Sequence, residues 1–338
     1  MKKILHLIFG RFFVVAMAII LQVLWLCVVL WQLSYKFTYV NLLVRVIAII
    51  VVLVIVNKWT NPANKLSWTF LILLSPIFGL MVYFLFGRSG LTKHTRERMD
   101  AVNRQVEALF QRDSAVEKGL EKESRSAYLQ SSYIDKWAGF PLYQNTQTKY
   151  YSCGEEMFPD MLEALRGAKH FIFLEYFIIE EGYMFNTILD ILEEKAKAGV
   201  DVRFIYDDVG SINSISFGYY KKLQERGIPC VTFNPFKPLI SVVMNNRDHR
   251  KIFVVDGYIG FTGGINLADE YINKVKRFGY WKDTGVRIEG EAVWSLTAMF
   301  LEMWNYINRS TEDYSRFLPS VYREKEFTSD GFVQPYGD

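Results

Sequence analysis

The chain has 338 residues, 51% of them hydrophobic and 22% charged, so it is neither a disordered tail nor a low-complexity polymer. Its net charge of +3 hides a split: residues 1–96 carry ten Lys and Arg and no Asp or Glu, and the remaining 242 residues sum to −7. The excess positive charge belongs to an apolar leader, which excludes reading the chain as a basic nucleic-acid binder.

Three long apolar runs occupy that leader. Residues 12–33 are 22 uncharged residues, residues 38–56 are broken only by Asn41 and Arg45, and residues 66–86 contain Pro76 and Gly79. A spanning helix needs about 20 apolar residues, so the first and third qualify outright. The second carries a cost, because an Arg at a helix centre is unfavourable by about 2.5–3.5 kcal/mol unless it snorkels to the headgroups. A tilted or interfacial segment after Arg45 is its alternative. The first run exceeds a signal-peptide core and ends without a small-residue cleavage site, so it reads as a retained anchor. With three crossings the basic flanks tie at five on each side. With two, the amino terminus and the rest of the chain share the side rich in Lys and Arg, the cytoplasm. Cys27, Cys153 and Cys230 make no disulfide framework.

From residue 96 to 120 the pattern is helical, with Val102, Val106, Leu109 and Phe110 on one stripe, as expected of a juxtamembrane helix or stalk. Strands and helices then alternate: strand 148–153, helix 154–166, strand 169–177, helix 183–198, strand 200–206, helix 217–226 and strand 230–233. Residues 251–255 and 258–262 pair around Asp256-Gly257, a two-residue hairpin signal, and strand 281–289 and helix 291–307 follow. Alternation of this kind predicts an α/β layered domain. Residues 331–335 look like the opening of another strand. The expected division is a membrane anchor of two to three transmembrane helices over 1–90, a juxtamembrane helical linker over 91–135, an α/β domain over 136–310, and a linker over 311–338.

Four histidines are present. His6 and His94 flank apolar runs, and His170 begins a buried strand, where a structural role is the simpler one. His249 differs, lying in Arg247-Asp248-His249-Arg250-Lys251-Ile252 at a strand entrance. Strand side chains two apart share a face, so His249 and Lys251 point one way and Arg250 and Ile252 the other. An imidazole beside a fixed ammonium suits a phosphodiester: Lys binds the nonbridging oxygens and His attacks phosphorus. No metal or other cofactor is suggested, since no second histidine or carboxylate cluster stands at ligand spacing. By spacing alone, a surface His and Lys at a polar strand entrance remains the simpler account.

His249-x-Lys251-x4-Asp256, followed by Gly263-Gly264-Ile265-Asn266, resembles the HKD signature of the phospholipase D superfamily with its trailing G-G-x-N. A multi-span leader before it resembles bacterial cardiolipin synthases. Other stretches are similar to the same family: Leu174-Glu175-Tyr176, Tyr206-Asp207-Asp208-Val209-Gly210-Ser211, Trp281-Lys282-Asp283-Thr284, and residues 61–87 with Ser75-Pro76. The resemblance implies an α-β-α layered domain, the first half of a pseudo-two-fold pair, acting on phosphatidylglycerol and other membrane phospholipids at the cell membrane, and not on nucleic acid.

The resemblance also implies a catalytic set of His249, Lys251 and Asp256, the first as nucleophile or acid/base and the second as phosphate ligand. Asp256 is equally expected as a structural Asp-Gly turn residue. Asn266 is implied to contact phosphate or orient the histidine, Gly264 with Gly263 to permit close backbone approach, and Glu175 to support His249. Family enzymes join two such motifs, but no histidine follows His249. The expectation is therefore a chain that stops at the start of its second half, or a homodimer that completes the site. The function implied is phosphatidyl transfer between two phosphatidylglycerol molecules through a phosphohistidine; a hydrolytic phospholipase D and an inactive partner subunit are the alternatives.

Overall fold

The computed structural model describes residues 17, 19–29, 38–87, 93–235, 247–323, 326–329 and 331–337. They form two compact units that divide between residues 87 and 93.

Of the apolar run over 12–33, the described part is a helix, α1 (Ile19–Val29); the remainder lies outside the described residues. The run with Arg45, for which the sequence allows an interfacial segment, is one continuous helix, α2 (Thr38–Asn57). Within it, Tyr39–Asn57 is, among the described residues, the one helix long and apolar enough to cross a bilayer by length and composition. The run over 66–86, expected as an unbroken span, is instead two helices, α3 (Pro62–Leu74) and α4 (Pro76–Phe86). The break is local chemistry. A residue before proline is barred from helical angles, and Ser75 accordingly sits at φ −140°, ψ 83°, while Pro76 opens α4 where its missing N–H costs nothing. The chain bends so tightly here that a Cβ on Gly79 would meet the Ile72 Cα at 2.5 Å. Ile72, Leu80 and Tyr83 pack with Ala48 and Ile55 of α2.

The second unit begins with α5 (Lys93–Glu107), α6 (Ser114–Glu123) and α7 (Arg125–Ala138). Asp113 and Ser124 cap α6 and α7 by accepting from Ala115 N and Ala127 N. Val106 is fully buried in the same core as Trp294 and Leu301, so α5 is docked on this unit and does not stand free as a stalk.

The strands are β1 (Thr146–Tyr151), β2 (Phe171–Tyr176), β3 (Asp201–Asp207), β4 (Cys230–Phe233), β5 (Ile252–Val255), β6 (Ile259–Gly263) and β7 (Gly285–Gly290). They make one sheet in the order β1-β7-β6-β5-β2-β3-β4. β2, β3 and β4 run parallel, whereas β5 is antiparallel to β2, β6 to β5, β7 to β6 and β1 to β7. Helices α8 (Gly154–Gly167), α9 (Tyr183–Lys197) and α10 (Tyr219–Glu225) cover one face, and α11 (Val293–Asn308) covers the other. Strand parity sorts the two cores. Ile172, Leu174, Phe253 and Val255 join the α8–α10 side, and Phe171, Phe173, Ile252 and Val254 the α11 side. A short helix, α12 (Pro319–Tyr322), follows. The expected α/β layered fold is thus an α-β-α sandwich on a mixed sheet.

Two local features differ from what the sequence leads one to expect, and one, the hairpin, matches it. The strand over 281–289 is regular only from Gly285, leaving 281–284 as a loop. The Asp256-Gly257 hairpin forms with φ of 50° and 73° at its two central residues, as a type I′ turn requires. Residues 331–335 open no new sheet: Val333 bridges Tyr143, and Gln334 Nε2 donates to the Ser131 and Phe140 carbonyls.

Candidate active site

The strand directions place the carboxyl ends of β2, β3, β4 and β6 and the amino ends of β5 and β7 on one edge of the sheet. Ligands in open α/β sheets gather at such an edge, where loops can converge without disturbing the ladder. Phe177, the 207–211 turn, the 247–251 segment, Gly263–Asn266 and the 281–284 loop all lie there.

His249 is exposed and its ring packs edge-on against Phe177, with centroids 4.7 Å apart. Lys251 is 5% exposed; its Nζ stands 5.5 Å from the same ring centroid and donates to the His249 carbonyl at 2.7 Å. The expected pair therefore does converge, on an aromatic floor. That floor is fixed from behind. Ser211 Oγ donates to the Phe177 carbonyl at 3.2 Å and accepts from Ile179 N at 3.1 Å. Gly210 leaves room for the ring, since a Cβ there would overlap the Phe177 carbonyl.

Asp207, at the end of β3, is fully buried and organises the approach to His249. Its carboxylate accepts from Val209 N, Gly210 N and Asp248 N at 2.9, 2.7 and 3.1 Å, and lies 3.4 Å from the Arg247 guanidinium. Burial pushes its carboxyl up, and these donors oppose the shift. Asp248 Oδ1 in turn accepts from Arg250 N and Nε, both at 3.2 Å.

Glu175 does not support His249. It is fully buried, and its Oε1 lies 2.6 Å from Arg250 Nη2. The reason is parity: Glu175 shares the α11 face with Phe171 and Phe173, and Arg250, one residue out of phase with His249 and Lys251, reaches the same face. Burial holds the Glu175 carboxyl well above the carboxylate range, against the pull of Arg250. Glu302 of α11 adds a third acid near Arg250; burial raises it to about 7.

Asp256 is not brought to His249 either. It sits beyond the opposite end of β5, where its carboxylate accepts from the N–H groups of Lys169, His170 and Phe171 at 2.9, 2.7 and 2.9 Å. It braces the start of β2 against the hairpin turn. His170 lies at that far edge, stacked on Tyr322 at 4.2 Å.

Asn266 is 2% exposed. Its Oδ1 accepts from Ile178 N at 3.0 Å and its Nδ2 donates to Tyr271 Oη at 2.8 Å, so it clamps the residue after Phe177. Gly263 has φ 146°, a left-handed-side value that suits glycine. A Cβ on Gly264 would overlap the Asp283 carboxylate, and Gly264 N donates to the Thr284 carbonyl at 3.0 Å. This close approach brings Asp283 near enough to act on Lys251.

Electrostatics suits phosphate chemistry. Burial lowers Lys251 to about 8, opposed by Asp248 and Asp283. Desolvation and the Lys251 charge both hold His249 below its ordinary value, so near neutrality the imidazole is unprotonated beside an ammonium that still carries its proton. No group of three His, Cys, Asp or Glu among the described residues is placed to hold a metal. Sequence reasoning assigned no role to Phe177, Asp207, Asp248, Arg250 or Asp283. Arg250 had a visible signal, a charge on the inward phase of a strand entrance.

Residues 161–304 match the family described as cardiolipin synthase, PLD-like domain, and residues 46–88 match the phospholipase D-nuclease N-terminal family. An uncharacterised protein of Streptococcus mutans is 39% identical over 85% of this chain and 62% of its own length. Cardiolipin synthase 1 of Bacillus anthracis is 35% identical over 82% of this chain and 55% of its own. The chain thus spans a little over half the length of these curated relatives. The phospholipase D family member Nuc from Salmonella typhimurium aligns with 50% of this chain and 97% of its own at 23% identity and a TM-score of 0.35. Residues 161–304 thus match the PLD-like domain of cardiolipin synthases, behind a segment that matches the phospholipase D-nuclease N-terminal family.

Proposed function

We propose that this chain provides one catalytic half of a cardiolipin synthase. The observation that carries the reading is the convergence of the His249 imidazole and the Lys251 ammonium on the Phe177 ring at the ligand-binding edge of the sheet. In this proposal a ring nitrogen of His249 attacks the phosphorus of phosphatidylglycerol while Lys251 neutralises the nonbridging oxygens. The bond from phosphorus to the glycerol oxygen breaks, and glycerol leaves with a proton taken from a general acid. A hydroxyl of a second phosphatidylglycerol then attacks the phosphorus, its proton passing to the base that the general acid has become, and the bond from phosphorus to His249 breaks, giving cardiolipin. Asp207, Asp248 and Asn266 hold the segments that carry His249 and Phe177, and Asp283 acts on Lys251; these are positioning roles. Asp256 is proposed as a structural brace.

The leaving alkoxide needs an acid, and His170 is at the far edge of the sheet. We assign the acid to a second HKD-bearing domain, in another copy of this chain or in a C-terminal half. Residues 1–90 are taken as a multi-pass anchor that keeps the domain over 136–310 on the cytoplasmic face, where both lipid substrates are at hand.

The test is turnover of phosphatidylglycerol labelled in its headgroup glycerol by full chain in vesicles. The expected result is released glycerol with matching cardiolipin, both lost in His249→Ala. Phosphatidic acid without cardiolipin would replace transfer by hydrolysis, and equal rates in wild type and His249→Ala would refute the site.

A further inference from the structure

The loop between Asn266 and β7 carries chemistry that lipid transfer at His249 does not use. From Tyr271 to Lys282 the sequence is Tyr-Ile-Asn-Lys-Val-Lys-Arg-Phe-Gly-Tyr-Trp-Lys, with four cations and no acid. Its base is closed by one side chain. Asn273 Nδ2 donates to the Trp281 carbonyl at 2.8 Å and to Glu155 Oε1 at 2.9 Å, and Asn273 Oδ1 accepts from Trp281 N at 2.6 Å. Above that closure the apolar side chains face outward: Phe278 is 78% exposed, Tyr280 66% and Val275 52%. An exposed aromatic cluster on a pinned loop costs solubility without adding to the core.

The cations divide into two sets. Lys274 Nζ sits 3.7 Å from the Tyr183 ring centroid, and Arg277 pairs with Glu270 at 2.9 Å and Glu180 at 3.6 Å. Lys276 and Lys282 are exposed with no acidic partner among the described residues. A ladder of rings joins the tip to the site: Phe278 stands 6.1 Å from Trp281, Trp281 stands 5.2 Å from Tyr271, and Tyr271 Oη accepts from Asn266.

We propose that this loop is an interfacial anchor that seats the active-site edge on an anionic phospholipid bilayer. Phe278, Tyr280 and Val275 enter the headgroup boundary, and Lys276 and Lys282 meet lipid phosphates. Aromatic rings favour that depth because one end is apolar and the other wet, and a nearby lysine is attracted to anionic headgroups. A second copy of the chain is disfavoured as the occupant, since a two-fold contact at the loop would set its cations against themselves. The proposal rests on the membrane-lipid reading of the site but does not require turnover.

Trypsin reports the contact directly, because Lys274, Lys276, Arg277 and Lys282 are all cleavage sites. Full chain is reconstituted in phosphatidylcholine vesicles with or without phosphatidylglycerol, and loop cleavage is normalised to cleavage at Lys118 and Lys122. Two unpaired lysines predict about thirtyfold slower loop cleavage in the anionic vesicles. Phe278→Ser with Tyr280→Ser, and separately Lys276→Gln with Lys282→Gln, should each lose most of that protection, and His249→Ala should keep it. Equal cleavage in the two vesicles would overturn the proposal, as would protection that appears in detergent and grows with protein concentration, the sign of a second copy. Loop protection with no difference in turnover between wild type and His249→Ala would sink the catalytic reading and leave the anchor standing.

Discussion

Replacing Asp256 separates a brace from a catalyst within the HKD signature. The carboxylate is 1% exposed and accepts three backbone N–H groups at 2.7–2.9 Å. Hydrogen bonds to a charged group contribute about 1.5–3 kcal/mol each. Lys169 and His170 lie at an exposed end of the sheet, where water can take over part of their loss, whereas Phe171 N is buried. Asp256→Ala also places a Cβ residue without local side-chain bonding at φ 50°, a left-handed value. The combined cost is about 3–5 kcal/mol. At about 2–4 °C per kcal/mol for a unit of this size, Tm falls by on the order of 10 °C. Asp256→Asn keeps one oxygen and tolerates the left-handed angle, so its loss is about 1–2 kcal/mol. Seven residues separate Asp256 from His249, roughly 20 Å of extended chain. Turnover per folded molecule should therefore stay within about twofold of wild type in both variants. The assay is thermal unfolding of the purified chain beside phosphatidylglycerol turnover. Asp256→Asn with an unchanged Tm and a hundredfold loss of turnover would refute the reasoning.

Turnover should follow a bell in pH: its rising limb lies below the ordinary imidazole value, as His249 loses its proton, and its falling limb lies near 8, as Lys251 loses its own. In Lys251→Arg the falling limb should move above pH ~10, because a guanidinium stays charged there. Glu302 has its folded-state value raised to about 7 by burial, so the folded protein holds that proton more tightly than the unfolded chain. Stability from this group is full below the ordinary carboxylate value and is lost as pH rises through about 7. Glu302→Gln should thus raise stability by about 1–3 kcal/mol at pH 8 and by almost nothing at pH 4, measured by urea unfolding at both. Arg250→Met leaves Glu175 and Asp248 buried without their cation and should cost about 3–5 kcal/mol; adding Glu175→Leu should recover part of it, read from the double-mutant cycle. Gly264→Ala should displace Asp283 and lower turnover more than tenfold with a Tm loss of only a few degrees, measured in the same two assays.

Much of the fold was legible because its causes are local. The type I′ turn at Asp256-Gly257 follows from two residues that accept positive φ, and the alternation of periods along residues 146–308 implies layers of helix on sheet. The convergence of His249 and Lys251 was legible as well, since a period of two puts them on one side. The break in the run over 66–86 is written in Ser75-Pro76, although the apolar length of the run masks it; the tight return at Gly79 shows that the local rule governs there.

The sequence by itself determined which side chains share a face and where the chain turns, because those follow from nearest-neighbour sterics. It could not determine what each face meets. Glu175 lies opposite Ile252 in the β2–β5 register, and only that pairing, between residues far apart in the chain, brings it to Arg250 and away from His249. Asn266 likewise closes on Ile178, and Asp256 on Lys169 through Phe171, across 85 to 88 residues. A buried carboxylate or amide must find partners, and strand order decides which ones are within reach.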